Sequence, residues 1–146
     1  MSFLSSMNIS ASGLTAQKQR MDILAENIAN VNTTRTEGGG PYQRKMVVFQ
    51  PIEAQDFKSI LSRKAQENAP KGGVQITQIV EDTREFKAVY NPEHPDADED
   101  GYVMMPNVDL MKETIDSMSA SRSYDANITA FNAIKMMATK ALEIGR

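Results

Sequence analysis

Two apolar, helix-prone segments stand at opposite ends of this chain, and the residues between them fall into short β-prone runs and turns. That arrangement constrains the fold, because end helices must bury their apolar residues against each other, against the middle, or against another molecule. From about residue 8 to 31, Met7, Leu14, Met21 and Ile28 recur every seven residues, with Leu24 and Val31 at the intermediate position. The spacing predicts a helix with a narrow apolar seam. The seam is imperfect, since Ser10 and Gln17 also occupy intermediate positions. Gly13 lowers local helix propensity by roughly 1 kcal/mol relative to Ala, so the first turns need a partner.

A second helix is predicted after Pro106, where Asn107 or Asp109 can cap the free N–H groups, and it continues to Gly145, a natural stop residue. At about 36 residues it spans ~54 Å, against ~36 Å for the first, so a packed pair leaves an overhang. Tyr124, Ile128 and Phe131 share one stripe of this helix, while Ile134, Met137 and Ala141 form another, with Met136, Leu142 and Ile144 spread further round. One short helix covers only one stripe, so lateral contacts with other copies or other proteins are expected. A small α+β domain with its end helices packed on its own sheet accounts for the same pattern, and periodicity alone leaves both readings open.

Between the helices, Glu37-Gly38-Gly39-Gly40-Pro41 marks a boundary. Residues 42–49, 74–80 and 85–90 read as two to four short strands, the last able to pair with the one before it. Residues 56–69 suit a short amphipathic helix or a loop equally, and residues 91–107 read as an acidic, turn-rich surface connection.

Composition removes several functions. The net charge of −3 provides no basic field for nucleic acid. With no Cys and one His, disulfides, thiolate catalysis and multi-histidine metal sites are excluded. No apolar run approaches the ~20 residues of a membrane span, and no Sec signal peptide is visible at the N-terminus. Ten Met suit helix surfaces that must fit several neighbours, or an ordinary helical core.

Asp96-Ala97-Asp98-Glu99-Asp100-Gly101 fits the opening of a calcium-binding EF-hand loop, but its twelfth position is Asn107 and prolines precede it where a helix should enter. A solvated acidic turn is the expectation. His94 lies in that turn without a nucleophile motif nearby, and the exposed Asp98 and Asp100 lack a shielding pocket, so no enzyme, catalytic residue, metal or cofactor is expected.

Ala11-Ser12-Gly13-Leu14-Thr15-Ala16-Gln17, Arg20-Met21-Asp22 and Ala25-Glu26-Asn27-Ile28-Ala29-Asn30-Val31-Asn32-Thr33 resemble the N-terminal motif of bacterial flagellar rod and hook proteins. The segments 37–45 and 89–103 resemble the proximal-rod members of that family. Residues 105–108 and 119–127 are similar to the entry and middle of its C-terminal axial helix, leaving only about 51–73 without a match.

The resemblance implies an α+β fold in which long N- and C-terminal helices pack as an antiparallel, coiled-coil-like axial domain (1–32 with 107–146) around a small β-rich insertion (33–106). It also implies a structural subunit of the basal-body rod, which crosses the periplasmic space, transmits motor torque and encloses the export channel. Export by the flagellar type III apparatus fits the lack of a Sec signal. Expected partners are copies of itself, other rod proteins, and the membrane-ring and rod-base adaptor proteins, with no nucleic acid and no direct membrane span. The expected assembly interface comprises Met7, Leu14, Met21, Leu24, Ile28 and Val31 on the first helix, and Tyr124, Asn127, Ile128, Phe131, Ile134, Met137 and Leu142 on the second.

Overall fold

The structure, a computed structural model, describes residues 3–52 and 72–144. Its elements run α1 (Phe3–Ala29), β1 (Lys45–Pro51), β2 (Val74–Glu81), β3 (Lys87–Tyr90), β4 (Tyr102–Met105) and α2 (Leu110–Ile144). The fold is α+β, with two long terminal helices and a small middle of two antiparallel two-stranded sheets, β1 with β2 and β3 with β4. The expected element at 56–69 lies outside the described residues.

Both helix ends have identifiable causes. Asn30 closes α1 by donating from both its backbone N–H and its Nδ2 to the Glu26 carbonyl, at 3.1 and 2.9 Å. Asp109 caps α2, its Oδ1 accepting from the N–H groups of Met111 and Lys112. Of the two cap candidates only Asp109 serves, because Asn107 is buried and bonded elsewhere.

The strands depart from expectation in one pairing. The pattern at 85–90 allows pairing with 74–80, whereas in the structure β3 pairs with β4 in the register Lys87↔Met105 to Tyr90↔Tyr102. The acidic segment is therefore the loop of a hairpin, closed by Asn91 N–H to Gly101 O at 2.9 Å. Strand β2 pairs with β1 instead.

The molecule divides into two compact units. One comprises Met1–Gln19, Phe49–Thr77 and Ser121–Arg146, the other Arg20–Val48 and Gln78–Ala120, so each helix contributes to both. In the first unit Ser10 and Ala16 are the buried described residues. There Ser12 Oγ donates to the Ile9 carbonyl and accepts from Val74 N–H at 3.1 Å. Gly73 makes that approach possible: its φ is +103°, and a Cβ would lie 2.5 Å from Ser12 Oγ. In the second unit Leu24, Tyr42, Val103, Val108 and Ala120 form an apolar core beside five buried polar residues.

Candidate assembly surface

Those five residues, Asn27, Arg44, Asp82, Asn107 and Glu113, form a hub that orients α2 within the second unit. Each sits at an element boundary: Asn27 near the end of α1, Arg44 before β1, Asp82 after β2, Asn107 before α2 and Glu113 in its first turn. The Glu113 carboxylate is fully buried, accepting from Arg44 Nε at 2.7 Å on Oε1 and from Asn27 Nδ2 at 2.9 Å on Oε2. Arg44 also reaches Asp82 Oδ2 at 3.4 Å, and its backbone N–H donates to Asn107 Oδ1 at 2.8 Å. Asn107 Nδ2 then donates to the carbonyls of Asp82 and Arg84.

Asn27 uses its full hydrogen-bonding capacity. Its Nδ2 donates to Lys45 O and its Oδ1 accepts from Lys45 N–H, both at 2.9 Å, so its amide meets Lys45 as a neighbouring strand would. The remaining bonds are Nδ2 to Glu113 and the Tyr42 hydroxyl to Oδ1 at 3.0 Å. In this unit α1 and α2 run antiparallel, since Arg20 pairs with Asp116 and, further along α1, Asn27 with Glu113.

The electrostatics follow from this packing. Burial, reinforced by the carboxylates of Glu26, Glu113 and Glu81, pushes the Tyr42 hydroxyl up to about 12. Hydrogen bonds from the Arg84 guanidinium, with help from its backbone N–H and from Arg44, hold the Asp82 carboxyl down to about 2 against the opposing effect of burial. Replacing one partner of the buried Arg44–Glu113 pair leaves a buried charge without its closest counter-ion, at a cost of about 3–5 kcal/mol.

With polar groups turned inward, most of the large aliphatic side chains of α2 lie outside. Met111, Ile115 and Met118 fall at i, i+4 and i+7 on one exposed face, with Met111 74% exposed. Sequence reasoning passed over this face, although that spacing was readable. It missed the hub as well: Asn27 entered only within a family motif and Asn107 as a candidate cap.

Among the expected interface residues, Leu24 is buried, and Met7, Leu14, Met21, Ile28 and Val31 are half-buried. The intermediate row, flawed by Ser10 and Gln17, is the more buried one, since Ser10 and Leu24 are both inside. On α2, Tyr124, Asn127, Phe131 and Ile134 are half-buried, while Ile128, Met137 and Leu142 are exposed, Leu142 to 76%. In the first unit Asn127 faces Gly13, where a Cβ would stand 3.1 Å from its Oδ1. Gly13, costly for the helix alone, thus lets the Asn127 side chain pack against α1.

The acidic loop is solvated at Asp98, Glu99 and Asp100. Asp96 is engaged by the Thr34 hydroxyl at 2.8 Å and lies 3.9 Å from Arg35, and its N–H donates to His94 Nδ1. Among the described residues no group of three or more His, Cys, Asp or Glu is placed to hold a metal ion, and no helix is long and apolar enough to cross a membrane.

Comparison with known proteins places this architecture. Residues 7–35 match the family described as flagella basal body rod protein, and residues 99–144 match the flagellar basal body rod FlgEFG protein C-terminal family. The flagellar basal-body rod protein FlgC of Bacillus subtilis (strain 168) is 48% identical over 97% of both chains. FlgC of Borreliella burgdorferi is 42% identical over 99% of this chain and 98% of its own, and FlgC of Salmonella typhimurium 39% over the whole of both. The chain belongs to the FlgC family of flagellar basal-body rod proteins, structural subunits rather than enzymes.

Proposed function

We propose that this subunit polymerises in the proximal rod through its terminal helices, which together act as one axial domain, and so transmits motor torque and encloses the export channel. The observation that carries the reading is the inversion of α2: Glu113 is fully buried while Met111, Ile115, Met118, Met136, Met137 and Leu142 are exposed. A helix that leaves this much apolar surface wet requires cover from neighbours. The neighbours are copies of this chain, other rod proteins, and the ring and adaptor proteins at the rod base. Exposed methionines suit such a role, because an unbranched thioether adapts to non-identical partners. Delivery is by the flagellar type III apparatus, to a rod crossing the periplasmic space.

The test is to express Phe131→Asp in a strain lacking the native subunit, measure the protein outside the cytoplasm, and image basal bodies. Phe131 shares a stripe with Tyr124 and Ile128, and a carboxylate desolvated there costs several kcal/mol at each contact. Export is expected to persist while rods fail to assemble. Complete rods bearing normal hooks would show that the stripe is not an assembly surface.

A further inference from the structure

The β3–β4 hairpin carries a second unpartnered face, distinct from the helices. Its register places Ala88, Tyr90, Tyr102 and Met104 on one side and Val103 on the other, and Val103 is the residue turned into the core. The outward side stays wet, with Tyr90 65% and Tyr102 45% exposed. The two rings are nonetheless held in place, packed edge to face with centroids 5.4 Å apart. Gly101 fixes one of them from below: its φ is +78°, and a Cβ there would meet the Tyr90 ring at 3.0 Å. Two exposed aromatic rings packed on each other, one of them seated on Gly101, make a prepared surface with less entropy to lose on binding.

The loop beside these rings carries charge of one sign. The loop joining Tyr90 to Tyr102 carries Glu93, Asp96, Asp98, Glu99 and Asp100 and no Lys or Arg. Asp96 is occupied by Thr34 and Arg35, whereas among the described residues no cation pairs with Glu93, Asp98, Glu99 or Asp100. The cation of the hairpin itself, Lys87, is turned away, its Nζ donating to the Val108 carbonyl at 3.2 Å.

We propose that this face docks an arginine-bearing segment of another protein, with guanidinium groups over the tyrosine rings and the loop carboxylates supplying the complementary charge. A guanidinium is planar, weakly hydrated and able to stack on an aromatic face while donating to carboxylates, so it uses both halves of the surface at once. A purely apolar partner would leave the acidic rim unused, and an acidic one would be repelled by it.

Purified full-length chain is titrated with the peptide acetyl-Ala-Arg-Ala-Arg-Ala-amide while the Tyr90 and Tyr102 ring resonances are followed by NMR. Saturable shifts of both rings are expected, with affinity falling about tenfold in the chain carrying Asp98→Asn, Glu99→Gln and Asp100→Asn, and again about tenfold in Tyr90→Leu. The same peptide with Gln for Arg is expected to leave both rings unmoved. Rings that do not respond, equal shifts with the Gln peptide, or full affinity in the neutralised chain would each overturn the proposal. Ring shifts that track the protein's own concentration would assign the face to a second copy and overturn it equally. The buried Val103 amide reports whether each variant keeps the hairpin, and the two variants are independent, so one that unfolds leaves the other to decide.

Discussion

From Leu110 to Ala120, α2 buries Glu113 and Ala120 completely and turns Met111, Ile115 and Met118 outward, whereas from Ser121 to Ile144 no described residue is fully buried. The early part is anchored through a carboxylate whose two oxygens are both satisfied, by Arg44 and Asn27. The later part, among the described residues, offers no comparable anchor. Apolar content therefore does not decide where this helix is held: Leu110, Met111, Ile115 and Met118 are all exposed in the very stretch that Glu113 and Ala120 anchor. A saturated polar cluster specifies position, because every member has one acceptable geometry, while apolar side chains tolerate many.

The sharpest way to break that contrast is Glu113→Leu. It removes the closest counter-ion of the buried Arg44 guanidinium, leaving only Asp82 at 3.4 Å, and leaves Asn27 Nδ2 short of an acceptor. A loss of about 3–5 kcal/mol in denaturant unfolding is expected, with amide protection disappearing from Leu110 to Ala120. A variant as stable as the parent would show that the hub is dispensable.

A smaller effect distinguishes the hub by pH. Tyr42 ionises at about 12 when folded against 10 in the unfolded chain, so its neutral form is favoured by folding. Its contribution is fully present below pH 10 and is lost as pH rises to about 12. Tyr42→Phe should cost about 1 kcal/mol at neutral pH through the lost bond to Asn27. It should also flatten the alkaline limb of stability against pH, and an unchanged limb would assign that titration to another group.

The smallest effect belongs to the far end of α2. Leu142→Gln changes a residue that is mostly in water, so the isolated subunit should keep its stability within about 0.5 kcal/mol. A loss of several times that value, seen in the same denaturant experiment, would mean that the terminal turns are anchored within the monomer after all.

Both helices were legible because seven-residue spacing and capping chemistry are local signals. Their inward faces were less so: the row broken by Ser10 and Gln17 reads as the poorer seam, yet its Ser10 and Leu24 are buried while Met7 and Leu14 are only half-buried. Strand β4 escaped notice because Tyr102–Met105 is four residues long and emerges from a loop full of turn formers. Asn107 looked like a cap, since Asn before a helix usually is one, and only the tertiary arrangement brings Arg44 N–H and the carbonyls of Asp82 and Arg84 to it. Glu113 and Arg44 carry no local signal for the same reason, since they lie 69 residues apart in the chain.

Two of the four largest fully buried side chains, Glu113 and Asn27, are polar, the others being Val103 and Pro106. That composition bears on heat capacity. Unfolding exposes apolar surface, which raises the heat capacity by about 0.45 cal/K/mol per Å², and polar surface, which lowers it by about 0.26. A core built around a hub of amide, carboxylate and guanidinium therefore has a smaller heat-capacity increment than an apolar core of the same size. Its stability changes less steeply with temperature on either side of the maximum, so cooling and warming weaken the fold gently rather than abruptly.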